Sequence, residues 1–351
     1  MPSFLVLEVV VNLLKLLVSM QFRQKYVYQS RELKLETHTF QDFDAFKSAV
    51  RGVDCSMMPQ HVERNSWSVS KVDVGGVTLQ FGQLGSGNIL EGESQSDGFI
   101  FYFPVTAGAK YLGNGIPFST ESIMVLTPGT DFTLCSQLAH DWYTIFIPTN
   151  TLNDCLDPAE SLSKSSIFNR SMLQTIRPDR LFFNSCCAVM GQIIHAASLT
   201  PRFEHSPAAL SARRQLLEIA TAALGKIQPI NPHTKGRHSL SRRLIIQQCR
   251  DLLAEHADET VLVRDLVAAT NVSERTLRSA FSRYFAMGPK NFLLLRQLNQ
   301  IRRSLQVAND TDTSVADVMV SHGVWEFGRF ALRYYQVFAE HPAETLKQEY
   351  I

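Results

Sequence analysis

The chain has 351 residues, 45% of them hydrophobic and 19% charged, which excludes an intrinsically disordered protein and fits two domains with a core each. A net charge of +1 points by itself to neither nucleic acid nor a membrane surface, although an average over two domains hides a local basic face. The six cysteines include no CxxC and suggest neither a zinc ribbon nor a disulfide framework; reduced, partly buried thiols, the adjacent Cys186 and Cys187 among them, are the expectation.

Residues 1–30 form an N-terminal extension. The stretch FLVLEVVVNLLKLLVSM (Phe4–Met20) is apolar but is interrupted by Glu8, Asn12 and Lys15. Its unbroken runs fall short of the ~20 residues a membrane span needs, and it lacks the basic start of a signal peptide. It reads as an amphipathic helix, a docking arm, or sequence upstream of a true start at Met20, the last being favoured.

Residues 31–228 read as a β-rich domain with a helical second half, serving effector sensing or dimerisation. WSVSKVDVGGVTLQFGQL alternates apolar and polar residues about a Gly75-Gly76 turn. GFIFYFPV (Gly98–Val105) is apolar almost throughout, as in a strand buried on both faces. ESIMVLTPGTDFTLC breaks at Pro128-Gly129, and DWYTIFIP follows as another strand. Short strands with glycine-rich turns predict a small barrel or sandwich. RLFFNSCCAVMGQIIHAASL and SARRQLLEIATAALGKI then change to helical spacing.

Aromatic interior residues of such a barrel, with Phe99, Phe101, Phe103 and Trp142 as candidates, could line a small-effector pocket or could be plain core. His61, His140, Cys55 and Cys135 make no compact metal motif, so no metal and no cofactor is expected. GxSxG, a P-loop, GxGxxG and HExxH are absent from the sequence, and no enzyme is expected.

Residues 229–241, with prolines and a glycine among polar residues, have linker composition. The remaining residues, 242–351, predict an all-α domain. From Arg237 onwards there are 15 basic and 13 acidic residues, so position rather than net charge must carry any nucleic-acid reading.

Two similar units stand out there. In VLVRDLVAATNVSERTLRSAFSRYF a first helix around 262–270 leads to Asn271, a residue tolerant of the left-handed turn, and Ser273 is a good N-cap. In the helix over 273–285, Leu277, Ala280, Phe281 and Tyr284 share one face, while Arg275, Arg278, Ser279 and Ser282 share the other. In TSVADVMVSHGVWEFGRFALRYYQVF the pattern returns about fifty residues later, with Gly323 at the turn. In the helix over 325–338, Phe327, Phe330, Tyr334 and Val337 point inwards, and Trp325, Gly328, Arg329 and Leu332 outwards. PKNFLLLRQLNQIRRSL (Pro289–Leu305) reads as one long connecting helix. A single such pair is a weak signal. Two copies joined by a stiff helix could put both second helices into the major groove roughly 34 Å apart.

The blocks NVSERTLRSAF, GPKNFLLLRQLNQIRRSL and HGVWEFGRFALRYYQVFAEHPAETL resemble the AraC/XylS family of bacterial transcription regulators over about residues 240–349. Val324 stands where that family has an aromatic residue, and Ala339 where a glycine is common. The β-rich half, through IFYFPV and TPGTDFTL, is more loosely similar to regulators of ethanolamine-utilisation operons. The resemblance implies an α+β protein: a cupin-like barrel followed by helices, then a domain of two helix-turn-helix units. It implies a cytoplasmic regulator, of activator type, that binds double-stranded promoter DNA. The implied partners are RNA polymerase, a small-molecule effector and a second copy of the chain, with no membrane.

Arginine gives guanine a bidentate pair of hydrogen bonds. Arg275 and Arg278, with Ser273, Thr276 and Ser279 beside them, are the expected base readers of the first unit; Arg329, with Trp325, Gly328 and Leu332, serves the second. Ser282, Arg283, Lys290, Arg333 and Gln336 are expected to hold phosphate and fix register. Two other readings remain at this point: a constitutive DNA-binding protein whose β-rich half only dimerises, and an enzyme domain on a DNA anchor.

Overall fold

A computed structural model describes residues 36–40, 43–64, 66–156, 173–227, 237–257, 259–308 and 312–347. The extension over 1–30 lies outside them. Residues Lys34–Ile351 form one compact unit.

The chain enters through β1 (Glu36–Phe40) and a short helix, α1 (Phe43–Ala49). Strands β2 (Val53–Val62), β3 (Trp67–Val74), β4 (Val77–Leu84), β5 (Ser86–Ser94) and β6 (Gly98–Pro104) follow, then β7 (Tyr111–Gly113), β8 (Ile116–Phe118), β9 (Ile123–Leu126), β10 (Asp131–Ser136) and β11 (His140–Pro148). After α2 (Thr149–Asp154), β12 (Leu173–Ile176) is a strand inside the stretch read as helical. One sheet runs β1-β3-β4-β11-β6-β9-β12 and the other β2-β5-β10-β7-β8, with antiparallel pairing throughout. The expected turns are there: Gly75 and Gly76 take φ of 68° and 85° to join Val74 to its partner Val77, and Gly129 takes φ 62° between β9 and β10.

The inner faces of both sheets close on one apolar core that includes Met57, Trp67, Tyr102, Tyr111, Phe132, Leu134 and Trp142. A Cβ on Gly82 would overlap the indole of its cross-strand partner Trp142, so only glycine fits beneath that ring. The outer face of the seven-stranded sheet is covered by α3 (Arg180–Leu199) and α4 (Pro207–Gly225). By length and composition α3 is apolar enough to cross a membrane, but its Phe183, Cys186, Met190, Ile193 and Ala197 are buried in the second core. Burial pushes the Cys186 and Cys187 thiols up to about 12, which makes them poor nucleophiles.

Two expectations change here. The phenylalanines of β6 do not face the barrel interior. Phe99, Phe101 and Phe103 point outwards into the core under α3 and α4, while Ile100, Tyr102 and Trp142 point inwards. Successive side chains of a strand alternate sides, so the three phenylalanines and Trp142 line no common cavity. Phe103 instead packs on Phe183 of α3, ring centroids 6.0 Å apart. The stretch assigned to the linker also contains helix: α5 (Arg237–Glu255) begins inside residues 229–241.

The outer face of the five-stranded sheet is covered by the C-terminal helices: α5, α6 (Val263–Thr270), α7 (Glu274–Phe285), α8 (Pro289–Val307), α9 (Val315–Ser321), α10 (Phe327–Phe338) and α11 (Pro342–Lys347). Met58, Ile89 and Cys135 of the sheet share a core with Ile245, Ile246 and Cys249 of α5 and with Tyr284 and Phe285 of α7. The order is therefore helices, sheet, sheet, helices, with the C-terminal domain seated on the barrel wall.

Candidate nucleic-acid interface

Each unit is built by local signals. Before α6, the Asp265 carboxylate accepts from the Leu262 N–H at 2.7 Å. Asn271 then turns the chain with φ 50°. The Ser273 hydroxyl oxygen accepts from the Thr276 N–H at 3.2 Å and starts α7. Leu277, Ala280, Phe281, Tyr284 and Phe285 are buried. In the second unit Ser314 and Asp317 cap α9 reciprocally, Gly323 turns with φ 72°, and Phe330, Tyr334 and Phe338 anchor α10. Ala286 and Ala339 end α7 and α10 with φ of 58° and 55°. The glycine-for-alanine difference at 339 thus falls on a position that needs the left-handed conformation.

The helix α8 joins the units and is clamped at both ends. The Arg296 guanidinium donates to the carbonyls of Leu253, His256 and Ala257, each at 2.9 Å, and the Gln297 amide donates to the His322 carbonyl at 2.9 Å. Arg302 is 4% exposed, pairs with Glu340 at 2.9 Å, and stacks over Phe43 and Phe338 at 4.5 and 5.4 Å.

All candidate base and phosphate residues are exposed. On α7 these are Arg275, Thr276, Arg278, Ser279, Ser282 and Arg283, with Ser273 before it and Lys290 on α8. On the second unit they are Trp325 (73% exposed), Gly328, Arg329, Leu332 (58%), Arg333 and Gln336. Arg278 meets Glu274 and Arg329 meets Glu326, both at 3.4 Å on the surface, where such pairs contribute about 0–1 kcal/mol and yield easily to phosphate. Lys290, Trp325, Arg329 and Arg333 line one groove of about 790 Å³ between the units. Leu332 stays outward rather than packing on the connecting helix.

Two details differ from the helical-wheel reading. The helix of the second unit begins at Phe327, so Trp325 precedes it in the turn. Phe327 is 41% exposed rather than inward, and Phe338 takes the anchoring role.

Sequence reasoning missed how both second helices are held. The Tyr284 hydroxyl, on α7, donates to Asn114 Oδ1 in the β7–β8 turn at 3.3 Å, and the Cys135 thiol donates to the Tyr284 carbonyl at 3.6 Å. On α10, the Gln336 carbonyl accepts from His61 Nδ1 of β2 at 2.8 Å. Arg250 of α5 bonds Glu91 of β5 at 2.7 Å and also reaches Thr133 of β10. Each second helix therefore touches the barrel at its C-terminal end and presents its basic face to solvent. Asn114 and His61 carry no pattern that distinguishes them from ordinary turn and strand residues. Among the described residues no group of three or more His, Cys, Asp or Glu is arranged to hold a metal.

The helix-turn-helix domain family matches residues 266–348. The XylDLEGF operon transcriptional activator of Pseudomonas putida is 28% identical over 237 residues, covering 66% of this chain and 68% of that protein. A probable thc operon regulatory protein of Rhodococcus erythropolis is 27% identical over 103 residues, 29% of this chain and 31% of that one. Among solved structures, the AraC-like transcriptional activator CuxR aligns with a TM-score of 0.39 and 12% identity, covering 76% of this chain and 94% of the other.

Proposed function

We propose that this chain, a helix-turn-helix transcription regulator of the AraC/XylS family, reads promoter DNA through the outward faces of α7 and α10, with the β-rich half setting how those faces are presented. The observation that carries this reading is the pair of capped helices whose arginine-bearing faces are free while their opposite ends rest on one sheet. Arg275, Arg278 and Arg329 are assigned to base edges, with Ser273, Thr276, Ser279, Trp325, Gly328 and Leu332 close beside them; a thymine methyl is the natural partner for Leu332. Ser282, Arg283, Lys290, Arg333 and Gln336 are assigned to phosphate.

The β-rich half is assigned the control of this activity, by a small molecule or by pairing with a second copy, and RNA polymerase is the expected partner at the promoter. The site of action is then the cytoplasm. An effector acts by favouring one of two arrangements of the reading helices, and does so only as far as its affinity for the two differs. No enzymatic role is assigned.

Selection of bound DNA from a random library at near-physiological salt tests the reading. Two half-elements about one helical turn apart, roughly 34 Å, are expected. Binding without sequence preference and with steep salt dependence would reduce the interface to phosphate attraction and overturn it.

A further inference from the structure

Four polar atoms inside the barrel have no hydrogen-bond partner: Trp67 Nε1, Tyr102 OH, Tyr111 OH and His140 Nε2. Their residues are 2%, 6%, 1% and 0% exposed and come from β3, β6, β7 and β11, on both sheets. They belong together. Tyr111 meets His140 edge to face at 5.1 Å, and Tyr102 lies 6.1 Å from Trp142 in the same interior core. The two tyrosine hydroxyls are close enough for Tyr111 to disfavour ionisation of Tyr102. A buried polar group without a partner costs about 1–3 kcal/mol, so four in one core are out of keeping with a structural role alone.

We propose that the barrel interior binds a small, uncharged aromatic molecule bearing a hydroxyl group, held by Trp67, Tyr102, Tyr111 and His140. This deepens the effector reading given above and rests on it.

The chemistry follows from the four atoms. His140 Nδ1 donates to the Leu138 carbonyl at 3.0 Å, so Nε2 carries the lone pair and needs a donor from the guest. Burial holds that imidazole neutral, with its pKa pushed down to about 4, so it remains an acceptor at neutral pH. Trp67 N–H and the tyrosine hydroxyls supply donors to the guest's oxygen. The nearest full charges, Arg64 and Asp141, pair with each other at 3.0 Å, which leaves no cation for a carboxylate guest. An unpaired carboxylate would therefore be strongly disfavoured there. The flanking rings of Trp142 and Phe118 suit a flat apolar body.

The test is thermal unfolding of the full chain with phenol, benzyl alcohol and, as the charged counterpart, benzoate. Phenol or benzyl alcohol should raise Tm in a saturable way, and benzoate should not. Tyr102→Phe and Tyr111→Phe, which each remove an unpartnered hydroxyl, should leave the protein at least as stable without guest and weaken the apparent affinity at least tenfold. No shift with either neutral probe, an equal shift with benzoate, or an unchanged shift in both variants overturns the proposal; the first outcome would leave buried water as the occupant. DNA selection on the same preparation separates the two levels. Intact sequence preference with no guest binding sinks this inference alone, whereas lost sequence preference sinks the regulator reading.

Discussion

Phe43 of α1 and Phe338 at the end of α10 lie with their rings 8° from parallel and 6.2 Å apart, while the other side of Phe43 meets the Trp67 indole edge-on at 6.1 Å. One phenylalanine thus spans from the barrel core to the last turn of the second helix-turn-helix unit, with the Arg302 guanidinium over both rings. Phe43 is 2% exposed, so Phe43→Ala should cost roughly 3–5 kcal/mol. Urea unfolding checks this. A loss below about 1 kcal/mol would mean that the two halves are not packed as described.

The His61 contact to α10 offers a finer probe. His61→Ala removes one hydrogen bond, which contributes about 1 kcal/mol. It should leave the preferred bases within each half-element unchanged and widen the range of spacers tolerated between them. Binding to a series of operators with one or two base pairs inserted reads this directly. Unchanged spacer preference would show that β2 does not position α10 on DNA.

Arg278→Ala and Arg333→Ala should fail differently. The first should relax preference at one base position, with ~1–3 kcal/mol of discrimination lost there. The second should weaken all sequences alike and lower the salt slope by about one. Equal loss of specificity from both would break the division between base and phosphate residues.

Ala286 and Ala339 sit at φ of 58° and 55°, where an L side chain is strained. Replacing either by glycine relieves that strain but adds freedom to the unfolded chain. The net expectation is stabilisation by roughly 0.5–1 kcal/mol for each, seen as a higher denaturation midpoint. Destabilisation by either change would contradict the left-handed geometry.

His140 predicts a pH dependence. Its folded pKa of about 4 lies below the ordinary value of 6.5, because burial disfavours the imidazolium. The unfolded chain therefore binds a proton that the folded chain refuses between those values, and stability falls as pH drops from about 6.5 towards 4. The full effect is on the order of 3 kcal/mol. His140→Gln should flatten that part of the profile, and an unaltered slope would assign the loss to other groups.

Much of the C-terminal domain was legible from sequence because its signals are local. Ser273, Asn271 and Gly323 mark caps and turns by their own chemistry, and Leu277, Phe281 and Tyr284 repeat at helical spacing over a polar opposite face. The strand β6 shows the limit. All seven of its residues are buried, so alternation cannot tell the side facing the barrel from the side facing α3 and α4, and Phe99, Phe101 and Phe103 were assigned to the wrong one. Phe327 misled for another reason: it occupies the first turn of α10, where less of the domain lies beneath it. The docking of the two halves had no local signal, since Phe43, His61 and Asn114 acquire meaning only from residues over a hundred positions away.

Tyr284 rests on the β7–β8 turn and Gln336 on β2, two members of one sheet. That sheet is thus a ruler with a helix fixed at each of two marks. A change in its curvature alters the distance between the marks while every residue that could meet a base keeps its identity. Divergence of binding sites among copies of this chain could then proceed by strand substitutions far from DNA, through the gap between half-elements rather than their letters.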